Sequence, residues 1–207
     1  MDMKKLVVAC LGSVGLGLLF AVVAPVEAGD TETKVIKSKG SGSAVSANFD
    51  FDNPNLSSPA NYINGEGISN AGKFTNQAVD EFAPDGKTCT VPGGGAGAGT
   101  EFTLVADVSV FRFTATGDLL FLKSTSGTSC TDLSRFPTPP FPFILTETGI
   151  FTGGTGKYSG ATGTFTFKVH GAFLSFDATG ARGFGWFEDT AVMTVTVPTL
   201  PGHPSMR

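Results

Sequence analysis

Histidine and tryptophan are nearly missing from this chain, with two and one residues among 207, and cysteine is limited to three. A zinc site draws on several His or Cys ligands, and a hydrolase relay needs a histidine beside a nucleophile turn. Neither set is present, so no metal and no cofactor is expected. His170 is the only histidine inside a strand pattern, and it shares parity with Thr164, Thr166 and Lys168, the polar face of that strand. Positive charge is also thin: Lys and Arg are scattered, no basic stripe forms, and the formal net charge is -4. A mildly acidic domain repels phosphate backbones, which removes nucleic acid from the expected partners. Asp50, Asp52, Asn53 and Asn55 resemble a calcium loop. Pro54 takes a ligand position and no glutamate closes the set, so a solvated acidic turn is expected there.

The one long apolar run is N-terminal. Lys4 and Lys5 precede Leu6 to Val23, and Pro25 leads into Val26-Glu27-Ala28, the order of a secretory signal with cleavage after Ala28. An uncleaved anchor is the first rival, but Gly12, Ser13, Gly15 and Gly17 dilute the run and no basic stop-transfer cluster follows. A lipoprotein signal ending at Cys10 is the second, and it would leave only Leu6 to Ala9 as apolar region. The expected location is extracytoplasmic, secreted or periplasmic, with membrane contact only through the signal peptide. Cleavage removes Cys10 and leaves Cys89 and Cys130, whose pairing in an oxidising compartment is the single disulfide expected. The chain-entropy model makes that bridge worth about 4 kcal/mol.

What the chain has in abundance is glycine, 28 residues, and phenylalanine, 19 residues. That balance suits tight turns around an aromatic β core and penalises long helices. Residues 29–44 are Lys, Thr, Ser and Gly with little to bury, and are expected to be a flexible polar leader. Strand patterns follow at 44–51, 63–69, 73–82, 101–115, 119–123, 143–151, 163–176 and 184–197, with a short segment around Cys89. Pro84-Asp85-Gly86 is expected to be a turn, and 93–99 a glycine loop. In 101–115, Phe102, Leu104, Ala106, Val108 and Val110 share one parity and Phe111 and Phe113 take the other, which predicts a bulge or a strand that bends around a closed sheet. Pro137, Pro139, Pro140 and Pro142 form a rigid connection. The domain plan is a signal peptide (1–28), a leader (29–44), one β-barrel domain (45–198) and a tail (199–207). The expected fold is all-β: an antiparallel, closed, calycin-like barrel of about eight strands with short loops.

One motif has a recognisable shape. Gly153-Gly154-Thr155-Gly156-Lys157-Tyr158-Ser159-Gly160-Ala161-Thr162-Gly163 lies between two strand patterns. It is not a phosphate loop: Phe151 stands where the first glycine belongs, Tyr158 follows the lysine, and no helix comes after, so no nucleotide is expected. Glycines at positive φ and a tucked Tyr158 make it a structural corner leading into Thr164-Phe165-Thr166-Phe167. This run resembles the GGTG-x-(Phe/Tyr)-x-x-A-x-G corner of the allene oxide cyclase and dirigent-like barrels, and more closely the exported bacterial proteins that look related to them. The resemblance covers about Thr148 to Phe167. It implies an eight-stranded antiparallel barrel with a central cavity. It carries no catalytic residue across, because no other position of the plant enzymes' site can be matched here.

Parity nominates the candidate site residues. Glu147 shares a face with Phe143, Leu145 and Phe151, Asp189 with Phe187, Ala191, Met193 and Val195, and Arg112 follows Val108 and Val110. Acids on an apolar face cost several kcal/mol unless paired or hydrogen-bonded. Glu147, Asp189 and Arg112 are therefore either acid, base or ligand anchor in a cavity, or solvated groups at strand ends. Trp186 is either a stacking ring or a rim aromatic. The functional expectations are an exported barrel that binds a small apolar molecule or has a filled interior; an isomerase or cyclase acting on a hydrophobic substrate; or a structural or surface β-sandwich.

Overall fold

The computed structural model describes residues 30–47, 60–92, 99–177 and 182–199. The expected signal peptide, the acidic turn at 50–55, the glycine loop at 93–98 and the tail from residue 200 lie outside these residues.

Eight strands follow one another: β1 (Thr31–Ala47), β2 (Ala60–Ser69), β3 (Gly72–Cys89), β4 (Gly99–Phe113), β5 (Leu119–Asp132), β6 (Phe141–Gly154), β7 (Thr162–Phe176) and β8 (Gly183–Pro198). Each pairs antiparallel with its neighbour in sequence, and β8 returns to pair with β1, so the sheet is one closed barrel without free edges. The β-sandwich expectation is thereby corrected, since a single sheet rolls up on itself instead of two stacking. Alternation is plainest in β8, where every odd residue from Gly183 to Val197 is buried.

The first correction along the chain concerns the expected leader. Residues 31–44 form most of β1, hydrogen-bonded to β8 on one side and β2 on the other. Little in this segment is apolar, yet the barrel uses it. Inward positions between fixed neighbours accept small groups, here Ser38, Gly40, Gly42 and Ala44, while Lys37 and Lys39 take the outer face. Next, Pro84-Asp85-Gly86 does not end a strand. It is absorbed in β3 as an irregularity between Pro84 and Thr88, with Gly86 at φ +79 and the Asp85 carboxylate accepting from Lys87 N. In addition, β5 runs on past Lys123 to Asp132, with Thr125 as an extra residue opposite β6. Finally, the parity switch of β4 falls at Val105, unpaired between the Glu81–Ala106 and Phe82–Leu104 pairs. Phe102 and Leu104 face inward before it, and Asp107, Ser109, Phe111 and Phe113 after it, leaving Val108 61% exposed outside.

The end of the barrel with short connections is packed solid. Phe74, Phe111, Phe113, Leu120, Met193 and Val195 fill it, each at most 2% exposed. The glycine-rich corner closes this end: Gly156–Tyr158 is a single 3-10 turn, and Tyr158 is buried against Phe113 with ring centroids 4.7 Å apart. Gly153, Gly154, Gly156, Gly160 and Gly163 complete the corner, and all but Gly154 have positive φ. A side chain at Gly163 would also run into the carbonyl of Thr194 on β8, so two independent constraints require glycine there.

Elsewhere inward glycines make room for rings. A Cβ at Gly42 would lie 2.6 Å from Phe187 Cζ and 2.7 Å from Gly65 Cα. Gly42→Ala is therefore expected to cost about 1–3 kcal/mol by overpacking, read as a lowered urea midpoint with unchanged m-value.

Cys89 and Cys130 form a disulfide between β3 and β5, strands that are not neighbours. The bridge passes over β4 at Gly99, where a Cβ would sit 2.6 Å from Cys130 Sγ and 2.9 Å from Cys89 Sγ. Absence of a side chain at Gly99 is what lets the crossing form.

Candidate functional site

Above the packed end, toward the longer connections, the interior opens into a cavity of about 90 Å³. A single water needs roughly 10–15 Å³ by this kind of measure, so the space takes several waters or a small organic molecule. Phe111, Phe143, Phe167 and Phe187 supply the apolar wall. Against them stand four acids, one each from four strands: Asp80 of β3, Asp107 of β4, Glu147 of β6 and Asp189 of β8.

Each acid faces inward for a readable reason. Asp80 alternates with Phe74, Ala78 and Phe82 on β3, and Asp189 with Phe187 and Ala191 on β8. Glu147 lies on the inward parity of β6 with Phe143 and Phe151. Asp107 depends on the Val105 bulge, which puts Asp107 on the parity of Phe111. All four are at most 8% exposed.

The acids are short of donors. Asn61 Nδ2 donates to Asp80 Oδ1 at 2.7 Å, and Ser124 gives its N–H and hydroxyl to Asp107 Oδ2 at 3.0 and 2.7 Å. The same hydroxyl lies 3.4 Å from Glu147 Oε2, but its single proton cannot serve both acids at once. Among the described residues Glu147 Oε1 has no hydrogen-bond partner. Asp189 accepts from the backbone N–H of Gly40.

Burial in this setting favours the neutral form of every one. Desolvation pushes Asp80 up to about 7, with the Asn61 bond opposing and the Asp107 charge adding. Glu147 is raised well above the ordinary carboxyl range, by burial first and then by the charges of Asp80 and Asp107. Burial raises Asp107 against the opposing Ser124 bonds, and raises Asp189 to about 6 against the Gly40 N–H. Asp80, Asp107 and Glu147 thus form one interacting group, while Asp189 approaches the same space from β8.

Two of the three candidates read from parity, Glu147 and Asp189, line this shared cavity. Arg112 does not. It is exposed on the outer wall between Thr75 and Leu119, because the bulge at Val105 commits Phe111 and Phe113 to the interior and their even-numbered neighbour to solvent. Arg112→Ala is expected to change stability by no more than about 0.5 kcal/mol in urea titration and to leave the cavity unaltered. His170 is also outside, 3.4 Å from Glu188 Oε2 with both side chains 61% exposed, and Trp186 stands edge-on to it on the same outer face. Parity overlooked Asp80 and Asp107. Asp80 was available from Phe74, Ala78 and Phe82; Asp107 was hidden by the position of the bulge.

Among the described residues no group of His, Cys, Asp or Glu is arranged to hold a metal ion. Comparison with protein-family models and with curated proteins gives no match for this chain.

Proposed function

We propose that this protein is an exported binding barrel, related to the allene oxide cyclase and dirigent-like barrels, whose cavity takes a small, largely apolar molecule bearing one polar group. The observation that carries the reading is the pairing of a phenylalanine wall with buried, under-donated acids in one interior space. A filled interior would have no need of such acids, whose burial costs stability. Export is supported by the N-terminal signal pattern and by the disulfide, a bond that persists in oxidising compartments.

Native mass spectrometry of the protein purified from producing cells, followed by titration with single-ring aromatics, tests the reading. Expected is a bound small molecule or a saturable adduct, lost in Ala78→Phe, which fills the cavity from β3. A ligand-free protein that takes up no probe would contradict it.

A second reading, an isomerase or cyclase, is favoured by one feature: Asp80, pushed up to about 7, shares the cavity with Glu147, which burial also raises, so a proton could be given and taken back across a bound substrate. Under that reading Asp80→Asn abolishes turnover while ligand binding survives.

A further inference from the structure

We infer that the cavity selects a protonated amine carried on a small apolar or aromatic body, with the ammonium seated between Glu147, Asp107 and Asp80. The inference rests on the binding reading above and deepens it by naming the ligand's charged group.

The acids come from β3, β4, β6 and β8, and the lining residues from β1, β2, β5 and β7, such as Ala44, Asn61, Ser129 and Phe167, carry no titratable group. Among the described residues no Lys, Arg or His side chain lines the space, so nothing in the described wall neutralises the acids. Donors from the wall are few: among the described residues, one Asn amide and one Ser hydroxyl with its N–H are all that reach Asp80, Asp107 and Glu147. Glu147 is 7% exposed, faces this cavity, and leaves Oε1 without a partner. A primary ammonium is the complement on both counts: it brings three N–H donors and the missing positive charge. The remainder of such a ligand lies against Phe111, Phe143 and Phe167, ring faces that themselves attract a cation. A neutral alcohol or ketone brings no charge to offset the repulsion that arises once carboxyls of the group ionise. A carboxylate ligand would add to it.

Binding has a proton balance that distinguishes it from simple hydrophobic uptake. The ammonium enters with its own proton, and a cavity carboxyl that was neutral releases one to solvent to become its counter-ion. The test is isothermal titration of the purified protein near pH 6 with 2-phenylethylamine, 2-phenylethanol and phenylacetate, in buffers of different ionisation enthalpy. Expected is amine binding at least about tenfold tighter than the alcohol, no phenylacetate binding, and release of about one proton per amine bound. Glu147→Gln, and independently Asp107→Asn, should each reduce amine affinity about tenfold or more while leaving the alcohol's affinity unchanged. Should the alcohol bind as tightly as the amine, or the amine bind without proton release, the cation inference fails and the binding barrel stands. If none of the probes binds, both readings fall.

Discussion

The protein is expected to be most stable in mildly acidic solution and to weaken as the pH climbs through neutrality. A carboxyl whose folded pKa is raised holds its proton in the folded state over a range where the unfolded chain has lost it. Stability therefore falls with rising pH across the interval between the two values. For Asp80 that interval runs from the ordinary 3.8 to about 7, and for Asp189 from 3.8 to about 6. A displacement of roughly three units corresponds to the order of 4 kcal/mol at 1.36 kcal/mol per unit, and Glu147, raised well above the ordinary carboxyl range by burial, adds to the decline. Asp85 and Asp132 shift the other way through bonds to Lys87 and Ser134, so their influence is confined to strongly acidic solution. Urea unfolding at pH 5 and pH 8 should give the larger free energy at pH 5. Glu147→Gln should raise stability at pH 8 and flatten the profile, because a neutral isostere keeps the space and drops the repulsion with Asp80 and Asp107. Stability that rises from pH 5 to pH 8 in the parent protein would contradict the placement of these acids.

Loss of the Cys89–Cys130 bridge is expected to cost about 4 kcal/mol, the chain-entropy value for closing a loop of this order; the separation is 41 residues. For a domain near 150 residues that amounts to a fall in Tm of roughly 10 °C. The bridge joins strands on either side of β4 at the end where β3 is irregular between Pro84 and Thr88, so it fastens the ring where the β3–β4 pairing is interrupted. Cys89→Ser with Cys130→Ser should show the loss by calorimetry, and reductant should reproduce it in the parent protein. Gly99→Ala supplies a second reading, since the new methyl group meets both sulfur atoms and should lower stability only while the bridge is intact. Equal damage by Gly99→Ala in the serine double variant would show that the glycine matters for another reason.

Strands such as β6, β7 and β8 were legible because large apolar residues recur at every second position, as in Phe143, Leu145 and Phe151, and the same rule exposed Glu147 and Asp189. It fails where the inward residues are small or polar. β1 presents Ser38, Gly40 and Gly42 to the interior, and only ring closure with β8, some 150 residues away in sequence, makes those positions inside at all. Period two is also blind to a single inserted residue until its place is known. Moving the switch from Val110 to Val105 turns Asp107 inward and Arg112 outward together, replacing a cation with an acid in the site. The acidic character of the cavity was hidden for that reason, and because a polar-lined interior looks like a solvent face in one dimension.

Carbon-13 NMR titration of the aspartate and glutamate side-chain carboxyls measures the central claim, a buried interior that raises acids above their ordinary range beside phenylalanine. Asp80 is predicted to titrate near 7, Asp189 near 6, and Glu147 to remain protonated above its normal range. Every carboxyl titrating at or below ordinary values would mean that these groups are in water, and there would be no such cavity.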